Sequence, residues 1–257
     1  MSTENAGNAE KASTEPDHGT SAPGNYLRAT IAGETHVRVT RDSADTSWDD
    51  EVIAINWFDS RYLFLYDFYN FLAARSVRLV GGTPLLKGRI LSCVSGDESM
   101  QRGVLLVVRY PSPRHFCRML ENTYFKLVSI VRSIAVQRFT FCLTRAINDR
   151  DFQLADDNYS STFAVLMFRG DSDVMEPLLK ELNDSSVSVI YSGLKTHKLS
   201  VVKASDKVTE VPVPMDGIIV FECSGESRLR SIAASTSFRS GLDNCSSYFV
   251  ALLEKIT

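Results

Sequence analysis

Four side chains between positions 109 and 132 are of the types that hold an oxygen and give it a proton: Arg109, Tyr110, Tyr124 and Arg132. An arginine fork binds a carboxylate or enolate oxygen, and a phenol can donate to it. Tyr124 and Arg132 stand about 2.2 helical turns apart, so one helix through both predicts that they face one cleft. The other reading is structural, with Arg132 closing the helix C-terminus and Tyr124 packed in the core. His115 follows the turn Pro111-Ser112-Pro113, close in sequence to Arg109, Tyr110 and Arg114. A neutral imidazole there can serve as a base, or it is an exposed histidine at a helix start. Tyr66 belongs to an aromatic run with Tyr62, Phe64, Phe68, Tyr69 and Phe71. That run lines an apolar pocket on one side, with Trp57 as a further wall, or is buried against the core, the tail or a dimer mate.

Other chemistries find no pattern. A metal site needs several His, Cys, Asp or Glu at ligand spacing, and no such group is written in the chain. No G-x-S-x-G supports a serine nucleophile. Gly81-Gly82 has no following helix or lysine to form a phosphate loop and reads as a turn. His197, within Lys195-Thr196-His197-Lys198, reads as an exposed hairpin histidine on a strand.

The elements that must position these residues follow from the apolar periods. Residues 51–58 (EVIAINWF) are a buried strand, after which Asp59 and Ser60 can cap a helix over 61–76. Residues 84–94 and 104–110 are strands, and Pro113 suits the first turn of the next helix. Residues 139–144 complete the order β-α-β-β-α-β. After a polar link over 146–161 the order recurs: strand 162–168, helix 171–182, a long strand within 187–203, strand 217–222, helix 226–237 and strand 248–253. Displaced by about 110 residues, Trp57-Phe58 falls on Met167-Phe168 and Leu72 on Leu182. Displaced by about 113, Phe116, Met119 and Phe125 fall on Leu229, Ile232 and Phe238. The chain therefore predicts an internal duplication: an α+β fold of two tandem ferredoxin-like repeats, 51–145 and 161–257. Each repeat leaves one sheet face bare, and the two bare faces close a barrel against each other.

Residues 1–50 carry four basic and nine acidic side chains, against 24 and 22 in the remainder. Residues 1–25 have almost no large apolar side chains, which predicts disorder and makes 1–50 an acidic tail and linker. Within it, residues 26–40 form either a short β-ribbon or a loosely docked arm. The near-neutral remainder argues against nucleic acid. No apolar run reaches the roughly 18 residues of a membrane span, and no signal segment is written at the N-terminus. The five cysteines form no C-x-x-C pair and lie in apolar stretches, as reduced core thiols do. These features predict a soluble, cytoplasmic protein with no membrane or nucleic-acid partner.

Residues 104–145 resemble the second half of small bacterial dimeric α+β barrel proteins of a family of unknown function. The likeness rests on Tyr110-Pro111-Ser112 at the helix opening, then Tyr124, then Arg132. Gly81-Gly82 and Gly88 fit the first half. In the second repeat Ser224-Gly225, Ser237 and Cys245 stand at these places, so the resemblance implies a site in the first repeat and its loss in the second. The wider superfamily implies a cleft between the sheet and its own helices that takes small apolar ligands. It includes cofactor-independent monooxygenases, isomerases and cyclases, as well as haem-binding barrels. The implied activity is a cofactor-independent enzyme acting on a small apolar oxygenated molecule. The alternatives are a non-catalytic ligand or haem barrel, with a histidine such as His197 as axial ligand, and an interaction module. A homodimer is compatible with each.

Overall fold

The computed structural model describes residues 25–147, 162–203, 205 and 207–256. In chain order the elements are β1 (Tyr26–Ala32), β2 (Thr35–Arg41), β3 (Val52–Ser60), α1 (Leu63–Leu79), β4 (Thr83–Gly96), β5 (Val104–Tyr110), α2 (Pro113–Glu121), α3 (Thr123–Ala135) and β6 (Val136–Ala146). The second half holds β7 (Thr162–Arg169), α4 (Met175–Asp184), β8 (Val189–Val202), β9 (Val208–Glu210), β10 (Gly217–Glu222), α5 (Glu226–Ala234), α6 (Thr236–Leu242) and β11 (Ser247–Lys255).

Strands pair in the order β6-β3-β5-β4 in the first half and β8-β10-β7-β11 in the second. Both halves are antiparallel ferredoxin-like sheets. They join where β11 pairs β4 and where β6 pairs β8, which closes an eight-stranded barrel. The closure follows from strands that are apolar on both faces. Ile53, Ile55 and Trp57 of β3 point inward and meet Phe163, Val165 and Met167 of β7 in one buried cluster. Ala54 and Phe58 point outward under α1–α3, and Ala164, Leu166 and Phe168 under α4–α6. The barrel interior is thus a packed core between two outer helix layers.

The duplication extends to a detail that hydrophobic period did not reveal. The helix expected after Pro113 breaks at Asn122, whose side chain accepts from the Phe125 N–H at 3.0 Å and starts a second helix. The helix expected over 226–237 breaks at Ser235, whose hydroxyl accepts from the Phe238 N–H at 3.3 Å. Asn122 and Ser235 are 113 residues apart. Both are side chains that cap helices by taking an orphan amide.

Two expectations change. Asp59 and Ser60 do not cap α1; they end β3, and Asp59 instead accepts from the Gly103 N–H at 2.8 Å and pairs with Arg138. Residues 26–41, placed within the tail with a short β-ribbon or a loosely docked arm left open, form a hairpin whose inner strand β2 extends the sheet along β8. At His197, β8 exchanges partners: Leu143 of β6 stands on one side and Arg41 of β2 on the other. The tail before residue 25 and most of the 146–161 link lie outside the described residues. No described helix is long and apolar enough to cross a membrane.

Candidate functional site

A cavity of about 900 Å³ lies in the first half, between the outer face of its sheet and α1–α3. The sheet supplies Ala54, Asn56 and Val108 as a floor of small side chains. Above stand Tyr69, Asn70 and Ala73 of α1, Phe116 and Met119 of α2, and Phe125 and Arg132 of α3. The side wall is formed by Ile31 and Val37 of the hairpin with Leu199 and Val201 of β8. The extension of β8 beyond the barrel therefore walls the cavity, and the hairpin contributes to a site that the sequence placed in the repeat alone.

Of the residues that sequence suggested, Tyr110 and Arg132 line the cavity. Arg132 sits in the last turn of α3 with its guanidinium carbon 4.8 Å from the Phe139 ring centroid. No carboxylate among the described residues forms an ion pair with it. The Tyr110 hydroxyl meets only the Met119 sulfur, a weak acceptor, at 3.1 Å. Tyr66 is buried behind the wall, its ring 5.8 Å from that of Tyr69. Burial holds the Tyr66, Tyr69 and Tyr110 phenols above their ordinary range, while the nearby Arg132 charge acts in the opposite direction on all three.

The other candidates lie elsewhere. Tyr124 is exposed on the outside of α3, and Phe125 takes its place at the cavity. His115 faces Ser112, with Nδ1 and the hydroxyl oxygen 2.8 Å apart, and so belongs to the start of α2. Arg109 alternates to the opposite sheet face from Tyr110 and pairs with Glu51 at 3.6 Å. Trp57 points into the barrel, where its indole N–H donates to the Met100 carbonyl at 2.7 Å. His197 is fully buried beside Trp48, contrary to an exposed hairpin position.

Sequence reasoning missed Asn70 and Asn56 as parts of the site. The Asn70 Nδ2 lies near the Tyr66 phenol and is buried without a well-formed hydrogen bond, whereas Asn56 Nδ2 donates to the Leu106 carbonyl at 3.2 Å. A signal was available in the alternation of β3, where Asn56 is the polar residue on a face otherwise held by Val52, Ala54 and Phe58. The polar lining is thus rich in donors: Arg132, Asn70 and Tyr69 around an otherwise apolar space. At the mouth, Lys87 pairs with Asp67 at 2.5 Å. No histidine or cysteine is among the lining residues, and no group of three or more metal-ligand side chains gathers among the described residues.

The equivalent space in the second half is packed. Leu166 stands where the first half has Asn56, Phe221 where it has Val108, and Cys245 where it has Arg132. Leu166 and Phe221 are fully buried with Leu178, Leu182 and Phe238.

No protein-family model matches the chain, and no curated protein does. Among solved structures, an anthrone oxidase-like protein aligns over 84% of this chain and 94% of its own, at 7% identity and a TM-score of 0.48. A haem-binding protein from Thermus thermophilus aligns over 86% and 94%, at 5% identity and a TM-score of 0.43. A protein of unknown function from Rhodopseudomonas palustris aligns over 39% and 85%, at 14% identity and a TM-score of 0.37. At these identities the likeness is one of fold.

Proposed function

We propose that this protein binds a small, largely apolar molecule ending in an oxygen acceptor, such as a carboxylate, enolate or ketone, in the cavity of the first repeat. The observation that carries the reading is Arg132: a guanidinium in an apolar cavity with no carboxylate partner among the described residues, beside the buried Asn70 amide, whose Nδ2 has only the Tyr66 phenol near it. Hydrogen-bond donors in an apolar space call for a ligand that supplies the acceptor.

Binding is favoured over catalysis. A proton-transfer enzyme needs an acid and a base that converge on the ligand. Here the converging groups are donors, and Asp67 at the mouth is held by Lys87. The acid role assigned to Tyr124 has no support, since that ring is outside. The haem alternative took a histidine such as His197 as axial ligand, and His197 is buried beside Trp48, outside the cavity lining.

Decanoate and decanol test the reading by calorimetry, being matched in chain length but not in charge. Decanoate binds the more tightly. Arg132→Gln weakens decanoate by roughly 10- to 100-fold, the span of a charge-assisted hydrogen bond, and decanol much less. Val108→Phe brings in the bulk that Phe221 has in the second repeat and abolishes both. Undiminished decanoate binding by Arg132→Gln, with an unchanged melting temperature, would rule the site out.

A further inference from the structure

Two of the three helices above the cavity, α1 and α3, are apolar on both sides. On α1, Phe64, Phe68 and Phe71 stand in one outward row with Arg75 and Leu79. On α3, Leu127, Ile130 and Ile134 form a parallel row. Phe64 is 73% exposed, Phe71 78% and Ile130 60%. With Tyr62 and Tyr124, the five rings alone present roughly 600 Å² to solvent, taking about 200 Å² per ring. That already reaches the roughly 300–600 Å² of the largest patch on an ordinary monomer, before the aliphatic residues are added. The fold does not require it. The matching helices of the second repeat, α4 and α6, expose Glu176, Lys180, Asn183, Arg239 and Ser240, and no large apolar side chain.

Charge distinguishes the occupants. Arg75 and Arg78 are exposed at the C-terminal end of the α1 row and form no ion pair with a described residue. Lys126 borders the α3 row, and α3 contains no acidic residue. The one acid of α1, Asp67, is neutralised by Lys87. A second copy docked face to face would bring this basic set against itself. Aromatic and aliphatic rows with an unmatched cationic flank fit an anionic lipid surface. Phe71 and Ile130 also line the cavity, so its mouth opens within the patch.

We propose that the α1–α3 face of the first repeat docks on anionic membrane surfaces, with Phe64, Phe68, Phe71, Leu127 and Ile130 entering the interface and Arg75 and Arg78 meeting lipid headgroups. Taken with the binding reading above, on which this step rests, an amphiphile can pass between bilayer and cavity without crossing water. This is attachment in the plane of the interface, distinct from a helical membrane span, for which no described helix is long and apolar enough.

The test is co-sedimentation of the full chain with vesicles of phosphatidylcholine alone or with 30 mol% phosphatidylglycerol, without added ligand. Vesicle binding is then read apart from cavity occupancy, and failure of either leaves the other standing. The expected result is binding to the anionic vesicles that weakens with salt. Phe64→Ser with Phe71→Ser loses it, as does Leu127→Ser with Ile130→Ser. Arg75→Glu with Arg78→Glu lowers it by about tenfold or more. Lys180→Glu with Arg239→Glu, on the polar face of the second repeat, leaves it unchanged. Absence of binding, or binding indifferent to the patch variants, overturns the proposal. So does a dimer by light scattering that the Phe64→Ser, Phe71→Ser variant dissolves without any vesicle binding, because the face then belongs to a second copy.

Discussion

His197 is fully buried where β8 changes partners, with the Trp48 ring 5.0 Å from its own. Its Nδ1 meets the Thr196 hydroxyl at 3.0 Å, and its Nε2 has no partner. Burial, aided by the Arg41 charge, pushes its pKa down to about 4. An unfolded chain protonates the same ring near the ordinary value of about 6.5. The unfolded state therefore binds the extra proton first as pH falls. Stability from this residue is fully present above about pH 6.5 and is lost progressively down to about pH 4, for a total of about 3 kcal/mol. Urea unfolding at pH 7.0 and 4.5 checks this. His197→Gln loses less stability between the two pH values than the native chain does, by about 2 kcal/mol or more. Equal losses would show that other groups carry the acid limb. The error over Tyr124 also belongs to this scale. Eight residues turn a helix by about 80° beyond two full turns, whereas the seven from Phe125 to Arg132 fall within about 20° of alignment. Arg132 was legible in the sequence as a candidate, but Tyr124 was read as its neighbour across that angle, where the cavity lining has Phe125.

Strands were legible nearly to the residue where both faces are apolar, as in Val104–Tyr110 and Gly217–Glu222. Their partners were less so. The hairpin 26–41 is held by β8, more than 150 residues away, so nothing local separates a ribbon from a loose arm. Two glycines separate local from long-range constraint. Gly33, in the β1–β2 turn, has φ +52° and open space around a would-be Cβ. Gly33→Ala lowers stability only by the left-handed backbone term, about 1 kcal/mol. Gly96, with φ +105°, lies at the seam between repeats, where a Cβ would strike the Tyr248 carbonyl on β11. Both backbone strain and steric conflict apply there, so Gly96→Ala destabilises by about 3 kcal/mol or more. Thermal melts of the two variants decide it. A Gly96→Ala melting temperature no lower than that of Gly33→Ala would show that the β4–β11 seam bears little of the stability.

At the scale of the molecule, two copies of one unit are packed differently. Each alone leaves a greasy sheet face and two open edges, β4 and β6 in the first repeat and β8 and β11 in the second. Closing the barrel buries Trp57, Leu105 and Val107 against Phe163, Met167 and Phe249, none more than 2% exposed. The second repeat also fills its own helix layer, while the first keeps a cavity walled partly by β8 of its sister. If the repeats are separate folding units, the covalent link between residues 147 and 162 is dispensable once they have met. Chains 1–147 and 162–257 expressed together should therefore purify as a one-to-one complex, with an interface resembling a domain core cut in half. Its affinity should lie below micromolar, and it should bind decanoate as the intact chain does. Expressed alone, 1–147 should lose decanoate binding even if it self-associates, because Leu199 and Val201 reach the cavity from the other half. Decanoate binding by the isolated first fragment, at the affinity of the whole chain, would show that the wall supplied by β8 is not needed and that the site belongs to one repeat alone.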